Sequence, residues 1–188
     1  MNIFVLDKDP MKSAQMMCDA HVVKMIVESC QLLSTHDRIS KRWCDESGLY
    51  KPTHIGHPCR MCLEQPYNRL WLIWHLNELL SEYSYRYHKV HKCQELFDRY
   101  WRHDDMWKMV VHIPPSVSAY NSAVARLYAL CDLPKCMPDE FKDSSSVVQS
   151  YRNYYKHKQN TMKYFRYTNR EIPEWLRGIT WLRLSCSR

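Results

Sequence analysis

Polar side chains recur along one edge of an otherwise apolar segment that runs from Cys18 to Gln31. This edge consists of His21, Lys24, Glu28 and Gln31. At about 100° per residue, the four positions fall within about a quarter of a helix circumference. The other positions are mostly apolar, which is typical of a buried helix. The pattern therefore predicts a helix from Pro10 to about Thr35, interrupted near Cys18, with a polar edge withdrawn from water.

Such an edge suggests acid–base chemistry. Lys24 and Glu28 lie one helical turn apart, and in a region of low dielectric each would perturb the protonation of the other. His21 adds an imidazole to the same edge. A second interpretation stays open, in which Lys24 and Glu28 form a solvated ion pair and His21 is an ordinary core side chain.

The rest of the chain also has helical periodicity. Further helices are predicted over 68–91, 119–131 and 147–165, the last capped by the serines at 144–146. Asp9 followed by Pro10 is typical of a helix start. The segment 36–66 has no sustained period and is predicted to be a long functional loop, and 101–115 is a mixed segment.

These elements predict a mainly α fold, a single compact helical domain over 1–188 with long functional loops. At most a minor N-terminal strand is expected at 3–6, and a flexible tail over 176–188. Only three glycines accompany seven tryptophans and thirteen tyrosines, which favours helices and short connections over a sheet.

Composition limits the compartment and the partners. Nine cysteines is an odd number in a chain too long for a small disulfide scaffold, so reduced thiols and a cytoplasmic location are expected. We expect neither a signal peptide nor a membrane span. The net charge of +7 favours a polyanionic partner such as nucleic acid.

A proline-rich loop concentrates two imidazoles and two thiols within nine residues: His54, His57, Cys59 and Cys62. Zinc ligands usually come from two separated pairs, and His57 and Cys59 are too close in sequence to complete a tetrahedron easily, so no metal is predicted. The preferred interpretation is that the loop delivers His54 and His57 beside the His21 edge as proton acceptors. Alternatively, both histidines only cap turns or stack on aromatic rings.

Basic and aromatic residues alternate between Tyr151 and Tyr167. The tyrosines are expected to face the core, so a predicted DNA-binding surface depends on Arg152, Lys156 and Lys163. An ordinary amphipathic helix is the alternative. The chain has neither a phosphate-binding glycine loop nor a glycine-flanked serine nucleophile, and no cofactor is predicted. Thiol catalysis by Cys18 or Cys59 is ranked low, because no nearby feature stabilises a thiolate.

Several motifs together resemble a phage-encoded family, the amino acid:DNA transferases of thymine hypermodification. The resemblance is carried by MNIFVLDKDP, CDAHVVKM, QLLSTH at 31–36, YKPTH at 50–54, HPC at 57–59, EY at 82–83 with RY at 86–87, Lys89 with HK at 91–92, YR and YY within 151–155, and PEW at 173–175. It covers nearly the whole chain, but not Cys62 or most of the segment 36–48.

The resemblance implies an enzyme that acts on double-stranded DNA carrying a phosphorylated or pyrophosphorylated 5-hydroxymethyluracil. The amine of an amino acid such as glycine displaces the phosphate group. Lys24 and Arg86 would clamp the departing phosphate, and Glu28 with His21 or His57 would act as the base. Arg152 would hold the amino-acid carboxylate or a DNA phosphate. The reactive nucleotide would be flipped out of the stack.

The complete set of predicted site residues follows from this chemistry. Predicted catalytic residues are His21, Lys24, Glu28, His57 and Asp19. Predicted substrate-binding residues are His54, Asn68, Arg86, His91, Tyr155 and Lys158. Two other functions stay open: a DNA glycosylase or endonuclease for altered pyrimidines, and a non-catalytic basic DNA-binding accessory protein.

Overall fold

The computed structural model describes residues 1–105, 108 and 116–177, and within them the mainly α fold is confirmed. The α-helices are α1 (Pro10–Gln15), α2 (Asp19–Ile39), α3 (Pro58–Met61), α4 (Pro66–Tyr87), α5 (Cys93–Tyr100), α6 (Val117–Ala129), α7 (Val147–Thr161) and α8 (Glu174–Arg177). Short 3₁₀ helices occupy Cys62–Glu64 and Asp139–Phe141. No strand occurs in these described ranges, so the predicted N-terminal strand at 3–6 is an irregular buried segment instead.

The first predicted helix is confirmed together with its interruption. Asp9 caps α1 by accepting the backbone N–H of Met11, and Pro10 occupies the first helical position. α1 ends at Gln15, and α2 begins at Asp19 after an extended Cys18. α2 continues to Ile39, four residues beyond the predicted end.

α4 forms the centre of the core. It packs against α1 and α2, and the face that makes these contacts is fully buried at Trp71, Leu72 and Leu76. Each such side chain contributes roughly 1.5–3 kcal/mol through burial. The helix ends at Tyr87 because His88 adopts a left-handed backbone conformation with φ of 53°.

The predicted end at residue 91 was therefore too late, and the separate helix that follows was not predicted. After the left-handed turn, α5 starts at Cys93 and buries Phe97 and Tyr100. α6 and α7 match the predicted elements closely, and Ser146 caps α7 by accepting the N–H of Gln149. Most of the mixed segment 101–115 and most of the predicted tail 176–188 lie outside the described residues.

Among the helices that the structure describes, none is both long enough and apolar enough to cross a bilayer.

Candidate functional site

His21, at the start of the α2 polar edge, is a packed side chain. It is only 5% exposed, its Nδ1 lies 2.9 Å from the Tyr155 hydroxyl, and its ring stacks on Phe4 with centroids 4.6 Å apart. Burial, helped by the positive charges of Lys24 and Lys158, lowers the pKa of His21 to about 4. His21 is therefore withdrawn from water as predicted, but the packing and the hydrogen bond of its ring point to a structural role in place of the predicted catalytic one.

Lys24 and Glu28 form an ion pair, with Nζ 3.2 Å from Oε1. The Lys24 side chain is 60% exposed and that of Glu28 14%. The prediction of a desolvated lysine is therefore wrong, because Lys24 lies on the stripe of α2 that faces water, beside exposed Val23. Glu28 is different. Its Oε2 accepts the backbone N–H of Asn2 at 2.9 Å, so a largely buried carboxylate lies next to an exposed cation.

His57 brings the proline-rich loop to this carboxylate. Burial lowers the pKa of His57, and the nearby charge of Glu28 opposes that shift. His57 caps α3, because its Nδ1 accepts the N–H of Cys59 at 3.1 Å. A neutral ring whose Nδ1 accepts a hydrogen bond carries its proton on Nε2, so His57 is poised as a donor rather than as a proton acceptor.

His54 is more peripheral. It is exposed with φ of 50°, and its ring lies 6.3 Å from that of His57 between centroids. The charge of Glu28 thus acts on His57, but the structure does not enclose Lys24 or His54 in a water-poor cavity.

A basic cleft of about 420 Å³ opens on the adjoining face of α2. It is lined by Val27, Tyr50, Tyr83, Lys89, Val90, His91, Lys92 and Cys93. Val27 precedes Glu28 in the chain, so the cleft and the carboxylate share one turn of α2. His91 packs edge-on against Tyr83, with centroids 4.9 Å apart, and its Nδ1 accepts the N–H of Cys93. Two lysines and an imidazole beside aromatic rings make this cleft suitable for a phosphate group on an aromatic base.

Sequence reasoning missed most of this cleft. Lys89 was placed at the end of a continuous helix over 68–91, whereas the left-handed His88 ends α4 before Lys89 and Lys92, and both line the cleft. The run of Lys89, His91 and Lys92 was a usable signal, because histidine and lysine crowd there after the last apolar stripe of the helix.

The thiols divide into two kinds. Burial raises the pKa of Cys18, and the hydrogen bond with Cys136 raises that of Cys59. Cys93 differs, since its hydrogen bond with Cys30 lowers its pKa to about 6 against the effect of burial. The Tyr50 hydroxyl also lies 3.6 Å from Cys93 Sγ. A thiol with a lowered pKa therefore borders the basic cleft.

Arg86 and Asp19 are structural rather than catalytic. Arg86 is fully buried as a side chain and bonds Glu82 at 2.7 Å, Asp19 at 2.8 Å and the Gln15 carbonyl at 3.1 Å. Asp19 also accepts hydrogen bonds from the backbone and hydroxyl of Thr168. The predicted phosphate clamp at Arg86 is therefore wrong, since its donors are already occupied by protein acceptors.

Asn68 and Tyr155 are likewise internal. The Asn68 side chain donates to the carbonyls of Cys62 and Asp132 and accepts the Asp132 N–H. Tyr155 is fully buried, and its hydroxyl accepts the Cys18 N–H at 2.7 Å. Neither side chain is free to contact a substrate, so both predicted substrate contacts are corrected to connections within the core.

The predicted DNA-binding cations of α7 and the following segment have different environments. Arg152 is tied to the Leu6 carbonyl and to Asp7 and lies over the Trp175 ring. Lys156 is half-buried, while Lys163 is exposed over Tyr164. Lys158, predicted to bind substrate, lies over the Tyr154 ring at 4.9 Å. Only Lys163 among the three predicted DNA contacts is a freely exposed cation.

A larger cleft, of about 660 Å³, lies around Arg152, Arg170 and Trp175. Its two arginines are already paired, Arg152 with Asp7 and Arg170 with Glu82. The smaller basic cleft has the stronger claim to a phosphate ligand, because it is lined by Val27, the chain neighbour of Glu28, and concentrates cations without a matching carboxylate among its lining residues.

Comparison with protein-family models, with curated proteins and with solved structures finds no match to this chain.

Proposed function

We propose that this protein is a DNA base-hypermodification transferase. It transfers an amino acid such as glycine onto a phosphorylated or pyrophosphorylated 5-hydroxymethyluracil in double-stranded DNA, with loss of the phosphate group, in the cytoplasm of an infected bacterium. The motif resemblance supplies the reaction class. The structural observation that carries the proposal is the position of the Glu28 carboxylate, on the same turn of α2 as the basic cleft.

The reaction needs a base, a cationic environment and an aromatic surface. Glu28 takes a proton from the ammonium group of the amino acid, which frees the nitrogen lone pair. The nitrogen then bonds to the methylene carbon of the base, while the carbon–oxygen bond breaks and its electron pair leaves with the phosphate. Lys24, Lys89 and Lys92 offset the negative charge that develops on the departing phosphate. His57 donates a hydrogen bond to that phosphate through its Nε2–H.

Approach to the methylene carbon requires access that stacked DNA does not give. The nucleotide is therefore flipped out of the duplex, with its base against Tyr50 or Tyr83 in the basic cleft. The net charge of +7 supports attraction to the phosphate backbone, and exposed Lys163 extends the basic surface. This arrangement moves the predicted phosphate clamp from Arg86 to the lysines of the cleft.

The test is mass spectrometry of nucleosides from duplex DNA containing 5-hydroxymethyluracil phosphate or pyrophosphate, incubated with the full chain and candidate amino acids. We expect a new nucleoside that carries the amino acid through a bond from its nitrogen to the 5-methylene carbon, and Glu28→Gln should lower its rate of formation about 10²–10⁴-fold. The matched control is Glu140→Gln, at an exposed carboxylate. Absence of any adduct, or equal rates for wild type and Glu28→Gln, would contradict the proposal.

Lys24→Ala separates the transferase from its alternatives. A transferase loses turnover and keeps its affinity for duplex DNA, whereas a binding module changes in neither respect. A glycosylase with lyase activity would release free base and lose an imine that borohydride traps on the DNA. Release of base without an amino-acid adduct would therefore replace the transferase by the glycosylase interpretation.

A further inference from the structure

Three metal-ligating side chains converge beside the candidate site. One ligand atom from each of His57, Cys59 and Cys136 lies within 4.8 Å of the others. The Sγ atoms of Cys59 and Cys136 are 3.3 Å apart, although 77 positions separate the residues in the chain. Cys136 thus provides a metal ligand from a second segment of the chain, which the spacing of residues within the proline-rich loop does not reveal.

We propose that His57, Cys59 and Cys136 bind one zinc ion and leave its fourth coordination position open. Two thiolates and an imidazole are ligands that zinc prefers. With zinc–ligand bonds of about 2.0–2.3 Å, the ligand atoms of a tetrahedral site lie about 3.5–3.8 Å apart. The observed spacings bracket that range, so side-chain rotations of small amplitude complete the site.

The backbone around both thiols is fixed in advance. Cys59 occupies the second position of α3, directly after Pro58. The Cys136 N–H points to the Tyr151 hydroxyl at 3.4 Å, and its carbonyl accepts from the Asn2 side chain at 2.8 Å. Such hydrogen bonds orient the residues that bind a metal ion and fix their positions.

The two thiols already share a proton. Cys59 donates its S–H to Cys136, and this hydrogen bond lowers the pKa of Cys136. Zinc binding replaces the thiol protons, so two S–H bonds give two Zn–S bonds and two protons pass to solvent. Binding through His57 Nδ1 also displaces the N–H of Cys59 that this atom now accepts.

Cys62 is not part of the proposed site. Its Sγ lies one turn beyond Cys59 and donates to the Cys59 carbonyl at 3.3 Å. With three protein ligands, zinc retains a position for water or an exogenous ligand, as in catalytic zinc sites. Asn2 connects the Cys136 carbonyl to the Glu28 carboxylate, so the metal centre is contiguous with the candidate site.

Zinc binding is testable independently of the transferase reaction. The full chain, purified under reducing conditions and stripped with a chelator, is titrated with ZnCl2 against a chromophoric competitor. We expect one zinc per chain. Cys59→Ser and Cys136→Ser should each weaken binding by at least about 100-fold, since even outer-shell changes cost 10–100-fold. Cys44→Ser, at an exposed cysteine, is the matched control and should bind as wild type.

CoCl2 provides a second readout that does not depend on activity. Tetrahedral cobalt with two thiolates should show intense visible bands and a thiolate charge-transfer band, and Cys136→Ser should reduce the latter. His57→Ala keeps both thiols and should shift the visible bands, while circular dichroism checks that each variant stays helical. Substoichiometric zinc, unchanged binding in Cys136→Ser, or a Cys59–Cys136 disulfide in protein prepared without oxidant would overturn the proposal.

Discussion

The polar edge of α2 and the charged residues of α4 have different surroundings in the structure. Along α4, Arg69, Glu82 and Arg86 are all buried, and each is bonded to protein partners of opposite charge. Along α2, Lys24 faces water and Glu28 holds only a backbone N–H and an exposed lysine. The buried charges of α4 and their partners Asp19 and Asp37 on α2 hold helices together, whereas Lys24 and Glu28 retain capacity for a ligand.

The difference comes from what surrounds each edge. α4 lies in the centre of the core, so each of its charges must find a partner or incur a large desolvation cost. α2 covers the core with one face and meets solvent with the other. A candidate site is therefore better recognised by charged groups that still have unused hydrogen-bonding positions than by the presence of charge alone.

The largest expected effect concerns the buried charges of α4, tested through Asp37, the α2 residue that pairs with Arg69. Asp37 is fully buried and accepts hydrogen bonds from Arg69, Trp43 and Trp101. Asp37→Ala removes one of the two carboxylates bound to Arg69 and leaves two indole N–H groups without this acceptor. We expect a loss of about 3–5 kcal/mol in the free energy of unfolding, measured by urea denaturation.

Asp139→Ala is the control, because the Asp139 carboxylate is almost fully exposed where it pairs with Lys142. A surface substitution of this kind should leave the urea midpoint nearly unchanged. If Asp37→Ala and Asp139→Ala shifted the midpoint equally, the buried network would contribute no special stability and the contrast between the two edges would disappear.

The second expected effect, intermediate in size, is a loss of folding stability at acidic pH. Burial lowers the pKa of His75 to about 3, and His21 titrates near 4 when folded, whereas both return to about 6.5 when unfolded. Between pH 6.5 and about 4 the unfolded chain binds more protons, so stability is present above pH 6.5 and is lost as pH falls. Each histidine contributes up to about 1.4 kcal/mol per pH unit to this slope.

His75→Phe isolates one of the two contributions. Neither ring nitrogen of His75 has a hydrogen-bond partner within the described part of the chain, and the ring stacks on Trp71. The variant should raise the free energy of unfolding at pH 7 by about 1–2 kcal/mol and reduce its pH slope between 6.5 and 4.5. His103→Phe, at an exposed histidine, should do neither. An unaltered slope in His75→Phe would show that His75 is charged in the fold.

Periodicity was sufficient for the fold because the helices bury wide apolar stripes and carry local start signals. Asp9 with Pro10, and Ser146, cap helices where the sequence predicted them. The left-handed His88 was not predictable in the same way, since nothing in the pattern forbids α4 from continuing to His91. That single backbone conformation creates α5 and the basic cleft.

The site was only partly predictable, because bonding capacity depends on partners distant in sequence. Arg86 was a reasonable phosphate clamp until Asp19 and Glu82 occupied it. Glu28 and His57 were expected to lie in one site, but Asn2 and Cys136, which connect to them, are 134 positions apart in the chain. Long-range pairing of this kind leaves no local pattern.

The smallest expected effect tests the comparison most directly, in a double-mutant cycle of Lys24→Ala and Glu28→Ala monitored by urea unfolding. Because Lys24 is 60% exposed, the coupling free energy between the two residues should be about 0.3–0.5 kcal/mol and should decline in 1 M salt.

Glu28→Ala alone should lower the free energy of unfolding by about 1–3 kcal/mol, since it leaves the Asn2 N–H without its acceptor. A salt-insensitive coupling well above 1 kcal/mol would mean that the pair is desolvated, as the sequence pattern alone predicts, and that the edges of α2 and α4 are electrostatically equivalent. The Arg38–Glu46 pair, whose side chains are 23% and 29% exposed, provides a reference cycle between these limits.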